Sequence, residues 1–181
     1  MHTNNQNSFT FQPMLEGETI SLRPLCEDDF DGLYACASDK KIWEGHPSPD
    51  RYKLSEFTPY FKASIASQAN VVIIDNQTNK IIGLSRYYKV DKTPDDISIG
   101  FTFLGREYWG GVTNHELKTL MVDYALQYFL VVWFHVGVDN IRSQKATLKI
   151  GAEFVGEESL MIGVKAGQWL CYKIKRENWS I

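Results

Sequence analysis

The chain has 181 residues, 44% hydrophobic and 23% charged, and its 22 acidic against 19 basic residues leave a formal charge of −3. That size and apolar content suit one globular domain, and the lack of any basic block argues against bulk electrostatic binding to nucleic acid. Cys26, Cys36 and Cys171 match neither a zinc nor a redox spacing and the start "MHTNNQNSFTFQ" is polar, so free thiols, no metal, no membrane partner and a cytoplasmic location are expected.

Residues 1–14, rich in Asn, Gln and Thr, carry no periodicity and are expected to form a flexible arm, with a single domain over 15–181. In "ETISLRPL" Ile20 and Leu22 alternate with Ser21 and Arg23, a short strand ended by Pro24. "CEDDFDGLYACAS" follows with acids in its first turn and Phe30, Leu33, Tyr34 and Ala37 at helical spacing. The Gly45, Pro47 and Pro49 of "WEGHPSPDRY" demand a loop. The helix over "LSEFTPYFKASIAS" is expected to start near Thr58, because Pro59 suits a first turn. "NVVIIDNQTNKIIGLSRYYKV" reads as a hairpin with its tip at Asn76–Asn79.

In "ISIGFTFLG" Ile97, Ile99, Phe101 and Phe103 alternate with Ser98, Gly100, Thr102 and Leu104, a strand with one apolar and one smaller face. From Glu116, the residues Leu117, Leu120, Met121, Tyr124, Ala125 and Tyr128 form one helical stripe. "VVWFHVGV" has the β-branched and aromatic content of a buried strand. A short helix over "DNIRSQKATLKIG" is capped by Asp139 or Asn140 and ends before Gly151, and two final strands follow. The tally is about seven strands and four helices in an order that is not a βαβ array, hence an α+β fold with a mixed sheet.

Between the smaller-faced strand and the longest helix lies "REYWGGVTNHELK". A helix start leaves about four N–H groups without partners, and Gly110 with Gly111 would let them converge on an anion such as pyrophosphate, with Lys118 near enough to help. The same letters also spell a capping box, Thr113 to Glu116, which would satisfy those groups internally. Two glycines do not separate the alternatives.

The element order, "YWGGVTNHELKTLMVDYAL", "VDNIRSQKATLKIGA" and the opening "ISLRPLCEDDFDGLY" together resemble the GNAT family of N-acetyltransferases, and within it the branch of ribosomal-protein N-terminal acetyltransferases. The resemblance implies a mostly antiparallel central sheet flanked by helices and an acetyl transfer from acetyl-CoA to a primary amine of a small molecule or peptide N-terminus. It implies that the backbone of Gly110, Gly111, Val112, Thr113 and Asn114 binds the CoA pyrophosphate. It places pantetheine along Ile99–Leu104, including Phe101 and Phe103, and against Asn140, with Ser143 near the thiol as a catalytic candidate. Arg142 and Lys145 would reach phosphate or simply lie on an exposed helix face.

Two departures stand out. Val112 and Asn114 replace smaller residues of the usual loop, and Thr147 stands where the family's general-acid tyrosine is usual. A CoA-binding or interaction module with weak or lost chemistry is therefore the alternative to an active enzyme. For the general base, His46 and Glu44 of "WEGHP" are the candidates, because an imidazole titrates near neutrality. Trp43, Trp109, Tyr87 and Tyr88 are pocket candidates, His135 a cleft or core residue, His115 an exposed first-turn residue, and Arg23 and Arg86 carboxylate-binding or solvent-facing. The acceptor and the oligomeric state, a homodimer included, are left open.

Overall fold

The computed structural model describes residues 8–90 and 93–179. In chain order the elements are β1 (Leu15–Glu16), β2 (Ile20–Pro24), α1 (Phe30–Ala37), α2 (Leu54–Ala66), β3 (Asn70–Asp75), β4 (Ile81–Tyr88) and β5 (Asp96–Leu104). There follow α3 (Val112–Leu126), β6 (Val131–Gly137), α4 (Ile141–Lys149), β7 (Glu153–Ile162) and β8 (Lys165–Lys175). One eight-stranded sheet runs β1-β2-β3-β4-β5-β6-β8-β7. All its pairings are antiparallel except β5 with β6.

Alternation along β3 divides the core. Val71 and Ile73 pack on one face with Leu117, Met121, Val122 and Ala125 of α3. Val72 between them points the other way, to Leu33 and Ala37 of α1 and Phe57 and Phe61 of α2. Each fully buried Leu, Ile or Phe contributes roughly 1.5–3 kcal/mol, so α3 is held by its apolar stripe and its N-terminus stays fixed relative to the sheet. Among the described residues, no helix is long and apolar enough to cross a membrane, and Cys26, Cys36 and Cys171 form no disulfide with one another.

Four local differences from the sequence reading have physical causes. The eighth strand is β1, two residues tied to β2 through a turn with a Gly17 N–H to Ile20 O bond of 2.8 Å; two residues carry no periodicity to read. α2 begins at Leu54 with Pro59 inside it, where tertiary burial of Phe57 outweighs the lost backbone bond. α3 begins at Val112, a turn before its stripe. Of the expected arm, residues 1–7 lie outside the described residues, whereas Phe9 and Phe11 pack on the α3-side core. The Phe9 ring lies 4.8 Å from Phe129 and 5.4 Å from Tyr87, so that described part is docked rather than loose.

Candidate active site

β5 and β6 pair only over Asp96–Val131, Ile97–Val132 and Ser98–Trp133. Beyond that point the strands no longer share a ladder, and Ile99–Thr102 on one and Phe134–Gly137 on the other become walls of a chamber of about 320 Å³. A second chamber of about 300 Å³ adjoins it, running from Thr102–Leu104 to the start of α3 and to α4. His46, Thr102, Lys118, Asn140, Ser143 and Thr147 belong to both walls. The two chambers are therefore one cleft with a waist.

A bulge shapes the β5 wall. Leu84 pairs with Phe103 but Arg86 pairs with Gly100, so β5 holds one extra residue, and Phe101 sits at φ 53. A positive φ is costly for a side chain of this size, and such strain gathers where a fold needs a special backbone direction. The bulge also shifts parity: Ile97 and Ile99 face α3, but Phe103 faces α1 and α2 and Leu104 returns to the α3 side. The strict alternation read from the sequence thus breaks at the waist.

At the glycine end, α3 starts with Gly111 as its cap residue and no side-chain cap hydrogen bond. The alternative capping box is absent: with Gly111 as the cap, Thr113 is already inside the helix, and the Glu116 carboxylate accepts instead from the Thr19 N–H at 3.0 Å and from the Thr19 hydroxyl. The N–H groups of the first turn are left for an external acceptor. Gly110 sits at φ 69, and a Cβ on Gly110 or Gly111 would meet nothing within 4 Å, so the loop presents bare backbone to open space. Gly110, Gly111, Asn114, His115, Lys145 and Lys149 all line this chamber. Val112 is 72% exposed and, like Thr113, is not in the wall.

Trp109 and Arg142 close this end. The Trp109 indole donates to Leu104 O at 2.9 Å, and the Arg142 guanidinium stacks 3.6 Å from its ring centroid while donating to Ile42 O at 3.0 Å. Arg142 is thus committed to packing.

The waist holds an unexpected cation. Lys118 is only 8% exposed; its ammonium donates to Thr102 Oγ1 at 3.2 Å and lies 5.3 Å from the Phe134 ring centroid, with no carboxylate beside it. Burial pushes it down to about 8. Lys118 lies six positions past Val112, roughly 9 Å along the helix at 1.5 Å per residue, so it serves the waist and not the glycine end. Nearby, Asn140 Oδ1 accepts the Ser143 N–H at 3.2 Å and caps α4. Thr147 is buried.

His46 also stands at the waist, but its chemistry differs from the base expected. Its Nδ1 accepts the Ser48 N–H at 2.9 Å, which fixes the neutral tautomer with the proton on Nε2. Burial, then the charge of Arg51 and more weakly of Arg142 and Lys165, push it down to about 3. This imidazole offers a hydrogen-bond donor and resists taking a proton. Glu44 is exposed and lines neither chamber. Among the described residues, no Asp or Glu lines the cleft at all.

The second chamber is aromatic and cationic. Tyr88 Oη and His135 Nδ1 are 2.8 Å apart, so His135 is both a satisfied residue and a wall residue. Phe101, Phe134, Trp169, Arg51 and Lys165 complete the wall. Of the other pocket candidates, Trp109 lines the first chamber, while Trp43 is core, with its indole donating to Ala37 O at 2.7 Å. Tyr87 is core too, its hydroxyl donating to Met121 O at 2.7 Å. Arg23 makes a two-pronged pair with Asp29 at 2.7 and 2.8 Å and has a structural task. The sequence reading passed over Arg51 and misplaced Lys118. The latter had a signal: it falls on the spacing of Val122 and Ala125, a lysine in an apolar stripe.

A model of the acetyltransferase (GNAT) domain matches residues 19–153. Among solved structures, a GCN5-related N-acetyltransferase from Brucella melitensis superposes with a TM-score of 0.79 at 19% identity, over 96% of this chain and 85% of that one. An acetyltransferase of the GNAT family from Bacillus anthracis gives 0.75 at 15% identity, over 91% and 99%. The ribosomal-protein-S5-alanine acetyltransferase from Vibrio fischeri gives 0.64 at 17% identity, over 93% and 100%. No curated protein matches the sequence.

Proposed function

The chain belongs to the acetyltransferase (GNAT) domain family, and from that premise we propose that it transfers an acetyl group from acetyl-CoA to a primary amine by direct attack in a ternary complex. The observation that carries the reading is the continuous cleft between the halves of β5 and β6 that no longer pair with each other, with uncapped backbone N–H groups at one end and an aromatic chamber at the other. The residues fit CoA: Gly110 and Gly111 bare the backbone a pyrophosphate needs, and Lys145 and Lys149 add positive charge. Acetyl-CoA would supply the activated thioester carbonyl.

The chain's own residues divide the work. The first turn of α3, from Val112 through Asn114, offers its N–H groups to the pyrophosphate. The β5 edge around Phe101 and Phe103, together with Asn140, holds the pantetheine arm. Lys118 keeps a positive charge where negative charge develops on the carbonyl oxygen and the departing sulfur, and Thr102 orients it. His46 adds its Nε2–H to the same wall, and Ser143 offers a hydroxyl near the sulfur. The acceptor must arrive as a neutral amine. A cleft lined by cations lowers the pKa of a bound ammonium, so no dedicated carboxylate base is required, and Glu44 stays outside the chemistry.

The test is incubation of the protein with acetyl-CoA and a panel of small amines and peptides while free thiol is followed. Acceptor-dependent thiol release supports the reading. Tight CoA binding with no release above buffer overturns it in favour of a binding module.

A further inference from the structure

The second chamber and the layer behind it hold two arginines without an ion-pair partner among the described residues. Arg51 lines the second chamber. Its guanidinium carbon lies 3.9 Å from the Tyr60 ring centroid and 5.4 Å from that of Trp43, and one Nη donates to Ser48 Oγ at 3.1 Å. Behind the wall, the Arg86 guanidinium lies 4.8 Å from the Phe101 ring centroid. Its Nε is buried without a hydrogen-bond partner, as is the Tyr60 hydroxyl. Neither arginine forms an ion pair among the described residues. Burial pushes both guanidinium groups below their ordinary value, and the more distant charge of Glu56 offsets only part of this for Arg51.

Arg23 shows the contrast, for it has a forked carboxylate partner in Asp29. Cations withdrawn from water without a hydrogen-bonded carboxylate are costly, and a planar guanidinium is shaped for one. We propose that the acceptor is a small amino acid, and that its carboxylate docks against Arg51, with Tyr60 and Arg86 behind, while its amine points to the waist at Lys118. The proposal rests on the acetyltransferase reading above. A chamber of about 320 Å³ with aromatic walls suits a molecule of that size. The lack of any described Asp or Glu in the walls disfavours polycationic amines.

The experiment measures acceptor-dependent thiol release for free amino acids, for their carboxamides, which keep the amine and lose the charge, and for spermidine. Wild type, Arg51→Gln and Arg51→Lys are compared, and binding of acid and amide to the protein saturated with CoA is measured by calorimetry. The acid is expected to exceed its amide by at least about tenfold in kcat/KM, since a site built to bind a polar group rejects the analogue lacking it. Arg51→Gln should erase that ratio, with Arg51→Lys retaining part of it. Amides or spermidine turned over as well as acids, or a ratio unchanged in Arg51→Gln, overturn the proposal and leave the acetyltransferase reading standing. CoA binding without turnover and without preferential binding of any acid overturns both.

Discussion

The two ends of the cleft are built by different means. The glycine end is made of backbone: one loop and one helix start contribute it, and its key property is the absence of side chains at Gly110 and Gly111. The other end, the second chamber, is made of side chains drawn from the loop before α2, from β4, β5, β6, and from the β7–β8 hairpin. Backbone recognition tolerates substitution of neighbouring residues but not intrusion into the cradle, whereas side-chain recognition is lost or altered one residue at a time. Between them, Lys118 belongs to the same helix as the glycine end but lines both chambers at the waist.

The largest expected effect intrudes on the cradle. Gly111→Asp places a carboxylate where the pyrophosphate would lie, in space that is open and at a backbone φ of −96° that any residue adopts. CoA affinity measured by calorimetry should fall at least about 100-fold, since like charges brought together cost several kcal/mol, with the melting temperature unchanged. Unaltered affinity would place the pyrophosphate elsewhere.

Next comes Lys118→Met. Removing one charge that stabilises a transition state lowers kcat about 100-fold, while the KM for acetyl-CoA should hardly move. The fold should be as stable or more so, because an unpaired ammonium no longer has to be buried. A raised KM with kcat intact would return Lys118 to a phosphate-binding role.

The pH dependence sharpens the same contrast with smaller effects. Lys118 titrates near 8 when folded against 10.5 as a free group, so between those values the unfolded chain binds more protons and stability should rise with pH. Denaturant unfolding from pH 8 to 10 should show that slope in wild type and lose it in Lys118→Met. The rate should fall above about pH 8 as Lys118 loses its charge, and this limb should vanish in the same variant. His46 has the same sign lower down: about 3 folded against 6.5 free, so its contribution is present above pH 6.5 and is lost as the pH falls towards 3. His46→Gln should flatten that part of the acid limb.

The smallest effect belongs to Val112→Gly. Val112 is 72% exposed and outside the wall, so restoring the residue usual in this family should change CoA affinity by no more than about twofold, within the usual range for surface changes. A tenfold gain would show that the valine narrows the cradle after all.

The difference between the ends also explains what could be read from the sequence. Periodicity located α3 and β5, residue content located β6, and the glycines between β5 and α3 marked the bare loop at the helix start, because helix starts and glycine turns leave local signatures. The β5 bulge had none: "ISIGFTFLG" alternates without fault, and only the pairing with β4 inserts the extra residue. That Glu44 lines neither chamber, that Lys118 lies against Phe134, and that Arg86 lies against Phe101 depend on contacts between residues far apart in the chain, which no local pattern encodes. Glu116 is the clearest case, since its letters fit a capping box but its carboxylate is held by Thr19.

The most direct test of a cleft divided in this way compares acetyl-CoA with acetyl-pantetheine, which keeps the thioester but lacks the pyrophosphate. In wild type, Gly111→Asp and Lys118→Met, kcat/KM would be measured for both compounds with one acceptor. Gly111→Asp should depress turnover of acetyl-CoA and leave acetyl-pantetheine unaffected, whereas Lys118→Met should depress both by a similar factor. Equal loss of both compounds in Gly111→Asp, or loss of acetyl-CoA alone in Lys118→Met, would contradict the division.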